Sequence, residues 1–304
     1  MKSDFTKTGL MLIYPGYQNE AKQYQYGRII EEFNKLGIVI EKLKVDEMIF
    51  AIQDNKSNKD VSKYDFCIPL VKDKYINTLL EKAGIPSFNK YTAIENTDDK
   101  MMSYTILANN GITMPMTISG VTNTGIEKID SVAISKELED YIEQKLGYPL
   151  IVKKLNSKGG RDIYKVNNQK ELEQICKRLD DKGYLFQEFV DDDLGKDIRV
   201  LVIGGKTIGA FMRSNENDFR SNISLGGKAL PYEIETAYSQ TAEKVAKLLK
   251  LDYGSVDFFM TKDKKPLLCE VNSDPAIIDF EQLLNKNIAE IFVKHVVKQV
   301  YAID

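Results

Sequence analysis

Two neighbouring segments decide how this chain reads: GSVDFFM at residues 254–260 and PLLCEVN at residues 266–272. Each is a short apolar run of the kind that forms a buried strand, and the polar TKDKK between them reads as a tight connection. Asp257 is the one charge in the first run. In the second, Glu270 and Asn272 stand two apart and share a strand face, with Cys269 and Val271 on the other. If the two strands pair through the short loop, Asp257 converges with Glu270 and Asn272. Two carboxylates and an amide oxygen are hard ligands, suited to Mg²⁺ rather than zinc. A competing reading makes both carboxylates edge charges or partners of lysines. Against it stands the cost of burying a carboxylate among Val, Phe, Leu and Cys unless it is paired or metal-bound.

The same alternation recurs upstream. In DIRVLVIGG (197–205), Asp197 and Arg199 face one way, and Ile198, Val200 and Val202 the other. Arg213 closes the run AFMR, and in DFRSN Arg220 and Asn222 stand two apart. Three arginines near one carboxylate cluster suggest an anion site opposite a metal site, because a planar guanidinium meets phosphate or carboxylate oxygens two at a time. Lys153 ends the apolar run PLIVKK, where a lone ammonium can reach a phosphate. Gly159-Gly160 just after it form a loop whose N–H groups can cover phosphates. This is neither GxGxxG nor a P-loop, so both of those nucleotide motifs lose support.

The first hundred residues alternate in the α/β manner. TGLMLIYPG, IVIEKLKV and YDFCIPL read as strands. Between them runs a helix with Ile29, Phe33 and Leu36 on one face, closed by Gly37; the helix KYINTLLEKAG ends at Gly84. Short connections imply a parallel sheet flanked by helices. Residues 53–63 read as a polar loop. Thr97 is a plausible cap for the helix that ends near Gly111, and Pro115 opens an extended linker. A middle unit from about Ser119 to Tyr184 holds a helix capped by Ser135 with Leu138, Tyr141 and Ile142 inside, two strands, and a helix with Asn168 and Glu171 placed as a capping box. LFQEFV, DIRVLVIGG and KTIGAFMR then read as antiparallel strands, with Gly204-Gly205 as a hairpin turn.

Composition narrows the chemistry. The 304 residues are 43% hydrophobic and 29% charged with a net charge of −3, which disfavours a basic nucleic-acid footprint. No apolar run approaches the ~20 residues of a membrane span. The opening lacks a signal-cleavage pattern and reads as mature protein. Cys67, Cys176 and Cys269 form no CxxC and read as small buried hydrophobes of a reducing compartment. His295 is the only histidine, so a zinc site, a Cys–His pair or a Ser–His–Asp triad lacks its parts. Chemistry here rests on carboxylates, Lys, Arg and backbone.

Taken in order, DDKMMSYTILANNGITMP (98–115), PLIVKK, LFQEFV, DIRVLVIGG, FMR, DFRSNISLGG, SVDFF and LLCEVNSDP resemble the ATP-grasp superfamily, and within it the RimK-like amino-acid ligases. The likeness covers nearly the whole chain, by pattern alone over the first hundred residues and densely from Lys100 onward. It implies an α/β and α+β architecture: an N-terminal Rossmann-like pre-ATP-grasp domain at 1–115, a central lid at 116–186 and a C-terminal ATP-grasp subdomain at 187–304. It implies a cytoplasmic ATP-dependent carboxylate–amine ligase working through an acyl phosphate, which adds an amino acid such as glutamate to a peptide, protein or small-molecule acceptor. Nucleic acid and membrane are not expected partners, and a homo-oligomer is compatible.

Carried over by motif, Lys100 and Lys153 contact ATP phosphates, the backbone of Glu188 and Phe189 the adenine edge, and Asp197 the ribose, with Arg213 in the same cofactor-binding set. Asp257, Glu270 and Asn272 hold two Mg²⁺ ions, with Mn²⁺ as a substitute. Arg220 and Arg199 steady the acyl phosphate, and Asn222 supports the same region. Two departures stand out: Asp162 occupies a place where many relatives carry glycine, and Ser273-Asp274-Pro275-Ala276 replaces a small residue followed by Pro-Gly. Asp274 reads either as a charge beside the substrate pocket or as a helix cap. The alternatives are a non-catalytic ATP-binding regulatory module, which the complete acidic triad argues against, and a kinase-like transfer to an alcohol.

Overall fold

The computed structural model describes residues 7–16, 19–53, 56–57, 59–120, 134–179 and 183–302. The first six residues, which open the segment read as mature protein, and residues 121–133 of the expected middle unit lie outside them. The N-terminal unit is a parallel sheet in which β1 (Thr8–Ile13) lies between β2 (Val39–Lys44) and β5 (Phe66–Pro69). Gly9 is required at that centre: a Cβ there would sit 2.3 Å from the Phe66 ring. Helix α1 (Glu20–Lys35) starts where the Asn19 side chain accepts from the Lys22 N–H, and it buries Ile29 and Phe33. Leu36, expected on that face, is its C-cap and is exposed, because the chain turns away there into Gly37 at φ 69°. Within the stretch read as a loop, β3 (Ile52–Gln53) and β4 (Lys56–Ser57) pair antiparallel; positions 54, 55 and 58 of that stretch lie outside the described residues. Helix α2 (Lys74–Lys82) is capped by Asp73.

The next helical stretch is two helices, α3 (Tyr91–Asp98) and α4 (Lys100–Leu107). Thr97 is not the cap. Its hydroxyl donates back to the Ala93 carbonyl inside α3, and Asp99 accepts from the Met102 N–H instead. The smaller sheet runs β6 (Thr117–Ser119), β9 (Tyr184–Glu188), β7 (Leu150–Lys154), β8 (Ile163–Val166), all antiparallel. Helices α5 (Lys136–Lys145) and α6 (Gln169–Leu179) close one side of it through Ile142, Leu172, Cys176 and Leu179. Ser135 caps α5 as expected, but Tyr141, one position from the buried Ile142, points about 100° away from it and is exposed. LFQEFV therefore pairs with PLIVKK in this sheet, not with the strands that follow it.

Those later strands form the larger antiparallel sheet, in the order β12 (Lys228–Pro231), β11 (Lys206–Ser214), β10 (Lys196–Ile203), β13 (Tyr253–Phe259), β14 (Leu267–Asn272). Gly204 and Gly205, both at positive φ, turn β10 into β11. One face packs Ile198, Val200, Val256 and Phe258 against α4 and α7 (Thr236–Leu249). The other packs Leu201, Ile203, Phe211 and Tyr253 with α8 (Ile278–Leu284), α9 (Ile288–Tyr301) and α1 in one apolar cluster. The N-terminal unit thus shares its core with the large sheet. His295, on α9, meets Asp252 at 3.2 Å and the edge of Phe88, which is a packing role.

A buried amide, Asn89, locks the two parts together. Its Nδ2 donates to the carbonyls of Tyr253 (2.6 Å) and Ser273 (2.8 Å), and its Oδ1 accepts from the N–H groups of Asp252 (2.7 Å) and Tyr253 (2.9 Å). All four of its hydrogen-bonding capacities are used. Asn89→Ala leaves two buried carbonyls and two N–H groups without partners, so we expect a loss of at least about 3 kcal/mol. Scanning calorimetry checks this, and an unchanged melting temperature contradicts it.

Candidate functional site

The ends of β7, β9, β10, β13 and β14 meet at one cleft. Strand alternation places Asp197 and Arg199 on the β10 face that looks into it, and the β10–β13 register sets Arg199 opposite Asp257. The β13–β14 register sets Asp257 opposite Glu270 and Ser255 opposite Asn272. The three expected metal ligands are therefore brought together, but they are not equivalent. Asp257 is fully buried; Arg199 grips it with Nε (2.9 Å) and Nη2 (2.7 Å), and Arg213 adds a third contact (2.8 Å). Arg213 is also forked onto Asp197. Burial alone would raise the Asp257 pKa; the two guanidiniums outweigh it and hold the carboxyl below its ordinary range.

Glu270 faces the cleft and meets Lys100 Nζ at 3.1 Å. The Asn272 amide turns its nitrogen toward Asp257 at 3.5 Å. Among the described residues, no three His, Cys, Asp or Glu side chains gather as a metal site; the expected set depends on the Asn272 oxygen as its third member. In atom type these residues fit a hard divalent cation: oxygen donors, one carboxylate open to the cleft, and no imidazole or thiolate. Cys269, between them in sequence, has its thiol pKa pushed up to about 12 by burial.

A narrower pocket opens beneath the small sheet, lined by Lys153, Gln187, Glu188, Phe189, Asp197, Arg213 and Phe259 among others. Lys153 is buried, donates to Gln187 Oε1 at 2.7 Å, and has its pKa lowered by desolvation. The Glu188 N–H is committed to the Met116 carbonyl at 3.0 Å, so that half of the expected adenine contact is not free for a ligand. Lys100, the first residue of α4, donates to the Ser157 carbonyl at 2.8 Å and so ties that helix to the glycine loop.

The glycine loop lies against the segment that carries Arg220. Arg220 is forked onto Asp218 and donates through Nη1 to the Gly160 carbonyl at 2.9 Å. Asn222 stands so close to Gly160 that a Cβ there would lie 2.3 Å from its Oδ1. Asp162, in the glycine-like place, adopts φ 55°, the left-handed conformation that a glycine takes easily and aspartate tolerates.

The wider part of the cleft, about 390 Å³, is lined by seven basic side chains against Asp98, Glu270 and Asp274. Lys22 of α1 reaches into it, pairs with Asp274 Oδ1 at 2.6 Å and donates to the Asp274 carbonyl. Asp274 is thus no helix cap; the residue ahead of α8 is Ile277. Lys22, Lys72 and Gln187 are cleft residues that the sequence reading missed. A lone Gln inside the apolar LFQEFV was the only available signal for any of them.

Comparison with known proteins gives the family and the fold. Residues 97–296 match the RimK-like ATP-grasp domain. N-acetylaspartylglutamate synthase A of Homo sapiens is 30% identical over 218 residues, 71% of this chain and 53% of that protein. A probable alpha-L-glutamate ligase of Marinomonas sp. is 28% identical over 294 residues, covering 91% of this chain and 93% of that one. The chain thus spans about half the length of the human relative and nearly all of the bacterial one. D-alanine–D-alanine ligase from Bacillus anthracis, solved with ATP, superposes with a TM-score of 0.68 over 98% of this chain and 96% of that chain at 19% identity, a likeness of fold.

Removing one partner of a buried ion pair leaves the other without its counter-charge. Asp257→Asn is therefore expected to lower stability by about 3 kcal/mol, and Arg199→Met added to it to return part of that loss. Denaturant midpoints of the two single variants and the double variant check this; strictly additive losses contradict it.

Proposed function

The chain belongs to the RimK-like ATP-grasp family, and from that premise we propose that it is an ATP-dependent ligase joining a carboxylate to the amine of an amino acid, glutamate first among the candidates. The observation that carries this reading is the meeting of Lys100 and Lys153, from two different elements, with Glu270 at a cleft rich in basic side chains. Such a cleft compensates polyanionic charge, which is most of what phosphoryl transfer asks of a protein. A substrate carboxylate oxygen takes the γ-phosphoryl group and ADP leaves. The amine then attacks the acyl carbon, phosphate departs, and the amine sheds its proton.

In this reading Lys100 and Lys153 hold phosphates, the Glu188 carbonyl and the Phe189 backbone meet the base, and Asp197 shares its oxygens between Arg213 and the ribose. Asp257, Glu270 and Asn272 would hold the divalent cations, two Mg²⁺ in our proposal, with Mn²⁺ as a substitute. The cation supplies charge neutralisation on the phosphates. Arg199, Arg220 and Asn222 face the acyl phosphate. The division at residues 115 and 186 into an N-terminal domain, a lid and a C-terminal subdomain, and a cytoplasmic location, belong to the same proposal. Among the described residues no helix is long and apolar enough to cross a membrane.

The direct test supplies ATP, Mg²⁺ and glutamate with a panel of carboxylate acceptors and measures ADP. Release that needs both substrates, with a hydroxamate trapped by hydroxylamine, supports the ligase; no turnover with any acceptor removes it. Within an active enzyme, Glu270→Gln is expected to keep its melting temperature and lose most Mg²⁺-dependent turnover, and normal turnover at limiting Mg²⁺ takes Glu270 off the list. Arg220→Lys keeps the charge but not the fork to Asp218 with its third contact to Gly160, so kcat is expected to fall roughly 10²–10³-fold. A near-normal kcat would remove Arg220 from the reacting centre.

A further inference from the structure

A second cavity, of about 650 Å³, lies on the other side of α3 from the cleft. Helix α3 is the wall between them: Tyr91 and Glu95 line this groove, while Ile94, Thr97 and Asp98 line the cleft. The approach to α2 joins the two as well, with Lys72 in the cleft and Lys74 and Tyr75 in the groove. Glu95 and Asp98 are three residues apart, roughly 4.5 Å along the helix axis, so the two sites share the same turn of that wall.

The groove has an apolar floor and a basic rim. Tyr75 and Leu79 on α2 face Phe50 and Ile52 across it, and Tyr75 is 65% and Ile52 77% exposed. Ile76 and Leu80, about 100° further round α2, are already buried in the N-terminal core, so the apolar stripe of the helix is wide and only one side of it is covered. Lys59, Lys74 and Lys82 edge the groove, and among the described residues none of them has an ion-pair partner. Glu95 is the single carboxylate among the described lining residues. A free amino acid, held wholly in the cleft, makes no use of such a surface.

We infer that this groove docks an acidic polypeptide segment with interspersed apolar side chains, belonging to the molecule whose carboxylate the cleft activates. This rests on the ligase reading above and narrows its acceptor to a peptide or protein. Apolar side chains on the floor provide the contact, and carboxylates against the three lysines fix the sign of the partner and speed its encounter.

The probe is a fluorescein-labelled synthetic peptide alternating Glu with Leu and Phe, compared by anisotropy with the same peptide carrying Lys for Glu. The acidic peptide is expected to bind at least about ten-fold tighter at low ionic strength, with the gap narrowing as salt is added. Tyr75→Ala, and Lys74→Glu combined with Lys82→Glu, are each expected to weaken it by about the same factor. These are exposed positions outside the reacting centre, so melting temperature and ATP turnover with acceptor peptides too short to reach the groove should not change. Equal binding of the two peptides, or binding indifferent to the groove variants, overturns the inference. So does a dimer seen by light scattering that Tyr75→Ala dissociates, since a second copy would then own the groove. Absence of ADP formation with every acceptor overturns the ligase reading itself, a result that anisotropy does not report and that is therefore read separately.

Discussion

Asp257 lies wholly out of water in the middle of the largest sheet, and its charge is sustained by Arg199 and Arg213. An isolated carboxylate in that position would neutralise or drive the strands apart; two guanidiniums make it tolerable and are in turn fixed by it. From this contact the rest of the cleft follows. Arg213, anchored at both Asp257 and Asp197, holds β10, β11 and β13 in register at the end where the cleft opens. Arg199, less buried than Arg213, is the member of the pair that can turn toward solvent or an anion. The array is a store of positive charge beside Glu270, fixed at Arg213 and adjustable at Arg199.

Period-two alternation made much of this legible from the amino-acid string. Asp197 and Arg199, and Glu270 and Asn272, each stand two apart, and a strand has to put each pair on one face. A charge in an otherwise apolar run, as at Asp257, announces a compensated site because the uncompensated one is too costly. What the string leaves open is which compensation is used. Metal and arginine satisfy the same carboxylate, and the choice depends on a register between strands nearly sixty residues apart, Arg199 against Asp257.

Local features were read less well where two solutions lie close in energy. Thr97 and Asp99 are both sound caps two positions apart, and the aspartate won because α3 ends there and keeps Thr97 inside itself. LFQEFV looks like its successors, yet it pairs with PLIVKK, whose matching apolar face it covers over α5 and α6. Asn89 and Lys22 carried no signal at all. Their partners lie 163 to 252 residues along the chain, and only the packing of the N-terminal unit onto the large sheet brings them within reach.

Asp274 shows how a departure from a family pattern can be absorbed. In the proposed ligase a carboxylate in this cleft would repel the nucleotide's charge, and the resemblance implies a small neutral motif at this position. Here Lys22 answers it: the lysine side chain is 12% exposed, bound to both the carboxylate and the carbonyl of Asp274, and further tied to Gln25. Desolvation lowers the Lys22 pKa while Asp274 pulls it back up, so each charge is what allows the other to stay. The net addition to the cleft is therefore close to a dipole rather than an anion. Because Lys22 comes from α1, the N-terminal unit is built into the wall of the cleft, and any change that loosens that unit from the large sheet also uncovers a bare carboxylate in it.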